Sequence, residues 1–324
     1  MSVNKDKLVK KVGCAVLLIL LLTLPLFVKD PYTLHILIIT IMNVILAVSI
    51  RLILTVGEMS IAHAAFMAIG GYTSALLVTR LGLSFWLTLL LGGIMATIIA
   101  ILIGYITLRL KGFYFSLVTL AFAEIVLIVI TRWDSLLGGY AGISDIPPPN
   151  PVFGIEFTSK VPYYYLILLL GIVTIAIMYR IDKSWLGRIF NSIRQSALLS
   201  ESMGINIMRY KVLAFAIGCF FAGIVGAFQA HYYTVLAPAF FTLWESIYCL
   251  IYAQVGGVAN IAGPAVGAIF LTIIPEFLRA ANEFQPLIFG AILIVVILFL
   301  PGGLITIPGK IRSLAAKFTK AGER

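Results

Sequence analysis

Charge is scarce in this chain: Asp, Glu, Lys and Arg make up only 11% of its 324 residues. A soluble domain carries about a quarter. Hydrophobic residues account for 61%, lie in long runs and give a mean hydropathy of +1.10. No folded surface facing water absorbs such runs, so a disordered chain and an ordinary globular enzyme are both excluded. At roughly 20 residues per spanning helix, the length is filled by about ten spans, with no room for a soluble catalytic domain. Weak dyad alternation argues against a transmembrane β-barrel.

Cysteine is nearly as scarce. Cys14, Cys219 and Cys249 all sit inside apolar runs without metal-ligand spacing, so they read as small hydrophobes rather than a disulfide framework. Also missing are a phosphate-binding Gly-x-x-x-x-Gly-Lys-Ser/Thr loop, a Cys-x-x-Cys pair and a His-Glu-x-x-His zinc motif. The expectation is therefore a non-enzyme that binds no metal or cofactor.

What the chain does have is a net charge of +10. Its basic residues punctuate the apolar runs, which points to membrane topology rather than to nucleic acid. Lys5, Lys7, Lys10 and Lys11 precede an apolar stretch at 12–28 that lacks a small-residue cleavage site, so it is read as an uncleaved first span. Further spans are expected at 32–55, 64–79, 85–107, 113–131, 163–179, 212–233, 246–258, 264–278 and 286–307. With the N-terminus inside, seventeen of the 23 basic residues fall on the cytoplasmic side, five fall outside and Arg51 is within a span. That bias places both termini in the cytoplasm. Trp86, Trp133, Trp185 and Trp244 all stand at span ends, where an amphipathic ring prefers the headgroup level.

The fold expected is an all-α polytopic membrane protein of about ten transmembrane segments. Residues 246–275 are uncharged but broken by glycines and a proline at 256–264, so eight spans plus a re-entrant hairpin is the alternative. A turn-rich external loop is expected at 132–162, a helical cytoplasmic loop at 180–211 and a basic cytoplasmic tail at 308–324. Within the cytoplasmic loop a helix is expected from Leu186 to Met203, with Ile189, Ile193 and Ala197 on one face and Gly204 as its C-cap.

Several residues could carry function. Glu124 is an acid deep in a span, which marks a functional site or a hydrogen-bonded structural carboxyl. Glu58, Ser60 and His63 lie in an interrupted, polar segment, tolerated at membrane depth only where it lines protein or water. Arg51, one turn from its span's inner end, is expected to snorkel. Gly218, Ala222, Gly226 and Ala230 form a small-residue stripe suited to helix packing. Asp134, Asp145 and Glu156 are external acids able to meet a partner.

At residues 57–66, Gly-Glu-Met-Ser-Ile-Ala-His-Ala-Ala-Phe, the chain resembles the M-type permeases of branched-chain amino acid ABC importers. The stretches 108–120, 142–147, 203–232, 256–268 and Pro275-Glu276 agree in order and spacing. Glu58 and Ala62 stand where the family usually has Gln and Gly. The resemblance implies a single permease domain over 1–324, in the plasma membrane of a prokaryote. It also implies a homologous second permease, two cytoplasmic ATPases that use ATP, and an extracytoplasmic solute-binding protein. Glu58, Ser60, His63, Thr119 and Glu124 are the candidates for the translocation path. Ile189, Ile193, Arg194, Ala197, Glu201 and Gly204 contact an ATPase, and Asp134, Asp145 and Glu156 dock the binding protein. Urea or short amides remain alternative substrates, and a proton-coupled secondary transporter using Glu124 remains an alternative class.

Overall fold

Asp30 opens the first long helix of the protein. In this computed structural model, which describes residues 19–25, 27, 30–151, 154–278, 284–300 and 302–306, its side chain accepts from the Thr33 backbone N–H at 3.0 Å. Pro31 follows at the first helical position, where a missing N–H costs nothing. These Thr33 hydrogen bonds, led by that from the Thr33 hydroxyl, lower the Asp30 pKa. Most of the first expected span, with Cys14 and its flanking lysines, lies outside the described residues, as does the basic tail.

Every named element is helical, and no strand occurs among the described residues. The long helices are α1 (Pro31–Leu54), α2 (His63–Leu81), α3 (Phe85–Thr107), α4 (Phe113–Arg132), then, after the single turn α5 (Asp134–Leu137), α6 (Lys160–Lys183). Two short helices follow, α7 (Trp185–Gln195) and α8 (Ala197–Ser202). Then come α9 (Ile207–Tyr233), α10 (Leu243–Gly256), α11 (Ala262–Phe277) and α12 (Gln285–Phe299). Six of these, α1 to α4, α6 and α9, are long and apolar enough to cross a membrane. The four tryptophans do sit at helix ends: second in α3, just after α4, first in α7 and second in α10.

The core is built around α9, which packs against α1, α2 and α3, while α1 also holds α6 and α11. Small residues permit this. Gly70 of α2, Gly92 of α3 and Gly223 of α9 meet backbone to backbone, so a Cβ on Gly70 would strike the Gly223 carbonyl. Gly226 lies equally close to Met67, and Gly218 faces the Ser49 carbonyl. The stripe at 218–230 thus does pack, with Gly226 making its closest approach, and Gly223, which lies off it, adds a second close crossing. By contrast α4 touches its neighbours sparsely and leaves most of its surface uncovered.

Residues 246–275 fold as two short helices rather than one straight span. The 14 residues of α10 and 16 of α11 reach only about 21 and 24 Å at 1.5 Å per residue, short of a hydrocarbon core of roughly 30 Å. They lie against each other because Gly256, Gly263 and Gly267 let the two backbones touch.

The loop after α4 is tied to a distant helix end. Ile143 and Leu236 exchange both backbone hydrogen bonds, at 2.9 and 2.8 Å, and Ile146 N–H donates to Thr234 O at 3.0 Å. The Pro147 carbonyl meets the His231 ring at 2.7 Å. Asn150 Oδ1 accepts from Phe85 N–H, holding the start of α3.

Candidate translocation and coupling site

The turn between α1 and α2 gathers most of the polar residues singled out by the sequence. Gly57, at φ +87°, reverses the chain where a Cβ would be strained, and drops Glu58 into the interior. There Glu58 Oε1 pairs with Lys211 Nζ of α9, both side chains buried. Next, Met59 O accepts from Ser116 Oγ at 2.7 Å and Ile61 N–H donates to Thr119 Oγ1 at 3.1 Å, fastening the turn to α4. Ser60 is buried and caps Ala62 N–H at 3.3 Å. His63 is wholly buried and its Nε2 meets Ser49 Oγ at 2.8 Å. Finally, Ala64 N–H donates to Ser246 Oγ of α10 at 2.9 Å.

Glu58, Ser60, His63 and Thr119 therefore form one connected cluster that joins α1, α4, α9 and α10. All four side chains are buried within this chain. Glu124 is not part of it. It lies half-buried on α4, and no hydrogen bond or ion pair involves it among the described residues.

A second ion pair lies close by in the fold. Arg51, near the end of α1, is buried rather than snorkelling: burial there is offset by two partners. Its guanidinium reaches Asp182 of α6 at 3.3 Å and donates from Nε to the Val258 carbonyl at 2.8 Å. The side chain thus holds the end of α6 and the α10–α11 turn together, two residues before α7 begins. Asp182, Lys211 and Val258 carried no signal of this role in the sequence.

The helix expected over Leu186 to Met203 differs from expectation. It breaks at Ser196, whose backbone is extended and whose side chain accepts from Leu199 N–H at 3.3 Å. A serine that can cap a new helix competes with continuing the old one. Ile189 and Ile193, expected to face a partner, are buried inside this chain, Ile193 being 3% exposed. Their face of α7 is the one already used. Arg194 lies over Gly57 with its side chain exposed. Ala197 is half-buried and Glu201 exposed on α8, and Gly204 takes the left-handed conformation expected of it, at φ +81°. The uncovered apolar residues are instead Leu198, Leu199 and Met203, 79%, 67% and 82% exposed. Beside them a cleft of about 520 Å³ opens between α8, the start of α9 and the Leu108–Lys111 turn.

Asp134, Asp145 and Glu156 all lie exposed in the 133–159 loop. Asp145 adopts φ +57° and accepts from Ser144 Oγ at 3.3 Å.

A family described as branched-chain amino acid transport system / permease component matches residues 32–299. The chain is 30% identical to the high-affinity branched-chain amino acid transport system permease protein LivM of Escherichia coli, over 99% of its own length and 81% of that protein's. It is 31% identical to the protein of the same name from Salmonella typhimurium, over 82% of this chain and 68% of the relative. The LivH permease protein of Escherichia coli is 23% identical over 78% of this chain and 87% of its own length. No solved structure matches. The chain belongs to the permease-component family of branched-chain amino acid transport systems.

Proposed function

We propose that this protein is the membrane-spanning permease subunit of an ABC importer for branched-chain or related amino acids. It pairs with a homologous second permease, couples to two cytoplasmic ATPases that consume ATP, and receives solute from an extracytoplasmic binding protein. Its place is the plasma membrane of a prokaryote. The even number of crossings, ten or eight plus the α10–α11 hairpin, keeps both termini inside, a reading supported by the distribution of lysine and arginine.

The observation that carries the proposal, beyond family membership, is the uncovered end of α8. Leu198, Leu199 and Met203 present apolar surface at a helix tip that this chain does not bury. Such surface suits a groove on a partner. Displacement of α8 reaches the membrane helices by two routes. One passes through α7 to Asp182 and Arg51, the other through Asn206 to α9, Lys211 and Glu58. Those pairs hold the turns that precede α2 and α11.

The deciding experiment is uptake of a labelled branched-chain amino acid by the complete importer carrying a hydrolysis-dead ATPase. Uptake is expected to vanish, and Glu124→Gln in the otherwise intact importer is expected to preserve it. Uptake that persists without ATP hydrolysis but is lost with Glu124→Gln would replace this reading with a proton-coupled transporter.

A further inference from the structure

A cleft of about 390 Å³ opens between α1, α9, α10 and α11. It runs from the end of α9 that meets the 133–159 loop to Asn43, midway along α1. Met42, Leu46 and Leu271 form an apolar wall. Glu245 and Gln229 supply the polar side.

The polar side is unbalanced. Gln229 is only 7% exposed, and its Oε1 has no hydrogen-bond partner among the described residues. Glu245 makes no ion pair among them either, and no Lys, Arg or His lines the cleft. A buried acceptor left unmet is costly, and a carboxylate in such a place calls for a cation. One buried, unmet amide oxygen and one half-buried carboxylate without an ion pair, beside an aliphatic wall, therefore describe the complement of a ligand with an ammonium group and a hydrocarbon chain. Tyr248 at the rim offers a hydroxyl donor. Asn43 is held in place by its hydrogen bond to Thr272 at 3.0 Å.

We propose that this cleft, within a single chain, binds the zwitterion of an aliphatic amino acid. Glu245 and Gln229 Oε1 accept from the α-ammonium, the Tyr248 hydroxyl donates to the α-carboxylate, and Met42, Leu46 and Leu271 receive the side chain. The inference rests on the permease reading and deepens it, because a neutral amide has no ammonium for Glu245 to meet.

The test uses the complete importer with L-leucine as probe. Glu245→Gln should lower L-leucine uptake roughly tenfold or more, the loss of one charge-assisted hydrogen bond, at unchanged membrane level. Glu245→Asp should recover much of it. Independently, in a chain with its three native cysteines replaced, Thr272→Cys should react with a water-soluble thiol reagent. L-leucine should slow that reaction, and 3-methylbutanoate, which lacks the ammonium, should not. L-leucine uptake unaffected by Glu245→Gln, with no protection of the Thr272→Cys variant, would overturn the cleft while leaving the permease reading intact. An unaltered importer that carries urea but not L-leucine would overturn both.

Discussion

Glu58 and Lys211, 153 residues apart in the chain, meet as a buried ion pair that locks the α1–α2 turn onto the second turn of α9. Removing one partner strands the other charge in the interior. Glu58→Gln or Lys211→Met alone is expected to cost about 3–5 kcal/mol, whereas the double change, which removes both charges, should recover most of it. Thermal unfolding of the detergent-purified protein reads this directly. Two single losses that simply add in the double variant would contradict a coupled pair.

The 180–211 loop separates two kinds of apolar residue. Ile193→Asp places a charge in a site buried by this chain and should cost several kcal/mol, so that little folded protein accumulates in the membrane. Leu199→Asp, on the uncovered tip of α8, should leave folding intact and abolish co-purification with the ATPase. Equal membrane levels for both variants would contradict the burial of Ile193.

Helix approach at Gly70 can be tested by one methyl group. Gly70→Ala drives a Cβ into the Gly223 carbonyl and should lower stability by about 1–3 kcal/mol. Gly290→Ala, where no atom lies within 4 Å of the added carbon, should leave the melting temperature unchanged or slightly raised.

Topology is open to labelling in intact cells. With an impermeant thiol reagent, Ser144→Cys in the exposed loop after α4 should react, and Ser202→Cys at the end of α8 should not. The reverse pattern would invert the whole arrangement.

Helix positions were legible because apolar runs, flanking charge and end-placed tryptophans all act locally along the chain. The break in 246–275 was legible for the same reason, through its glycines. Partnerships were not. Arg51 looks like a snorkelling residue when only its distance from a helix end is known. Asp182, 131 residues away, is what holds it inside. Spacing identified Ile189 and Ile193 as one apolar face, correctly, but periodicity says only that a face is buried and not what buries it. Ala197 left that face because Ser196 caps a new helix, a competition between two local hydrogen-bonding options of similar strength. Glu245 escaped notice because it stands one residue outside an uncharged run, and Gln229 because an amide in an apolar helix carries no pattern of its own.

The pairing of Ile143 with Leu236 gives the protein a mechanical property. The 133–159 loop departs from α4 and returns to α6, yet its backbone bonds to Thr234 and Leu236 and its contact with His231 fall at and just beyond the end of α9, beside ties to Arg80 of α2 and Phe85 of α3. That helix runs 27 unbroken residues, about 40 Å, and its other end is capped by Asn206 beside α8. A grip on the loop is therefore also a grip on a long strut that passes through the most crowded crossing in the molecule and emerges at the opposite face. Push and pull at either face reach the other through this unbroken rod, without a chain of separate joints along it to absorb the stroke.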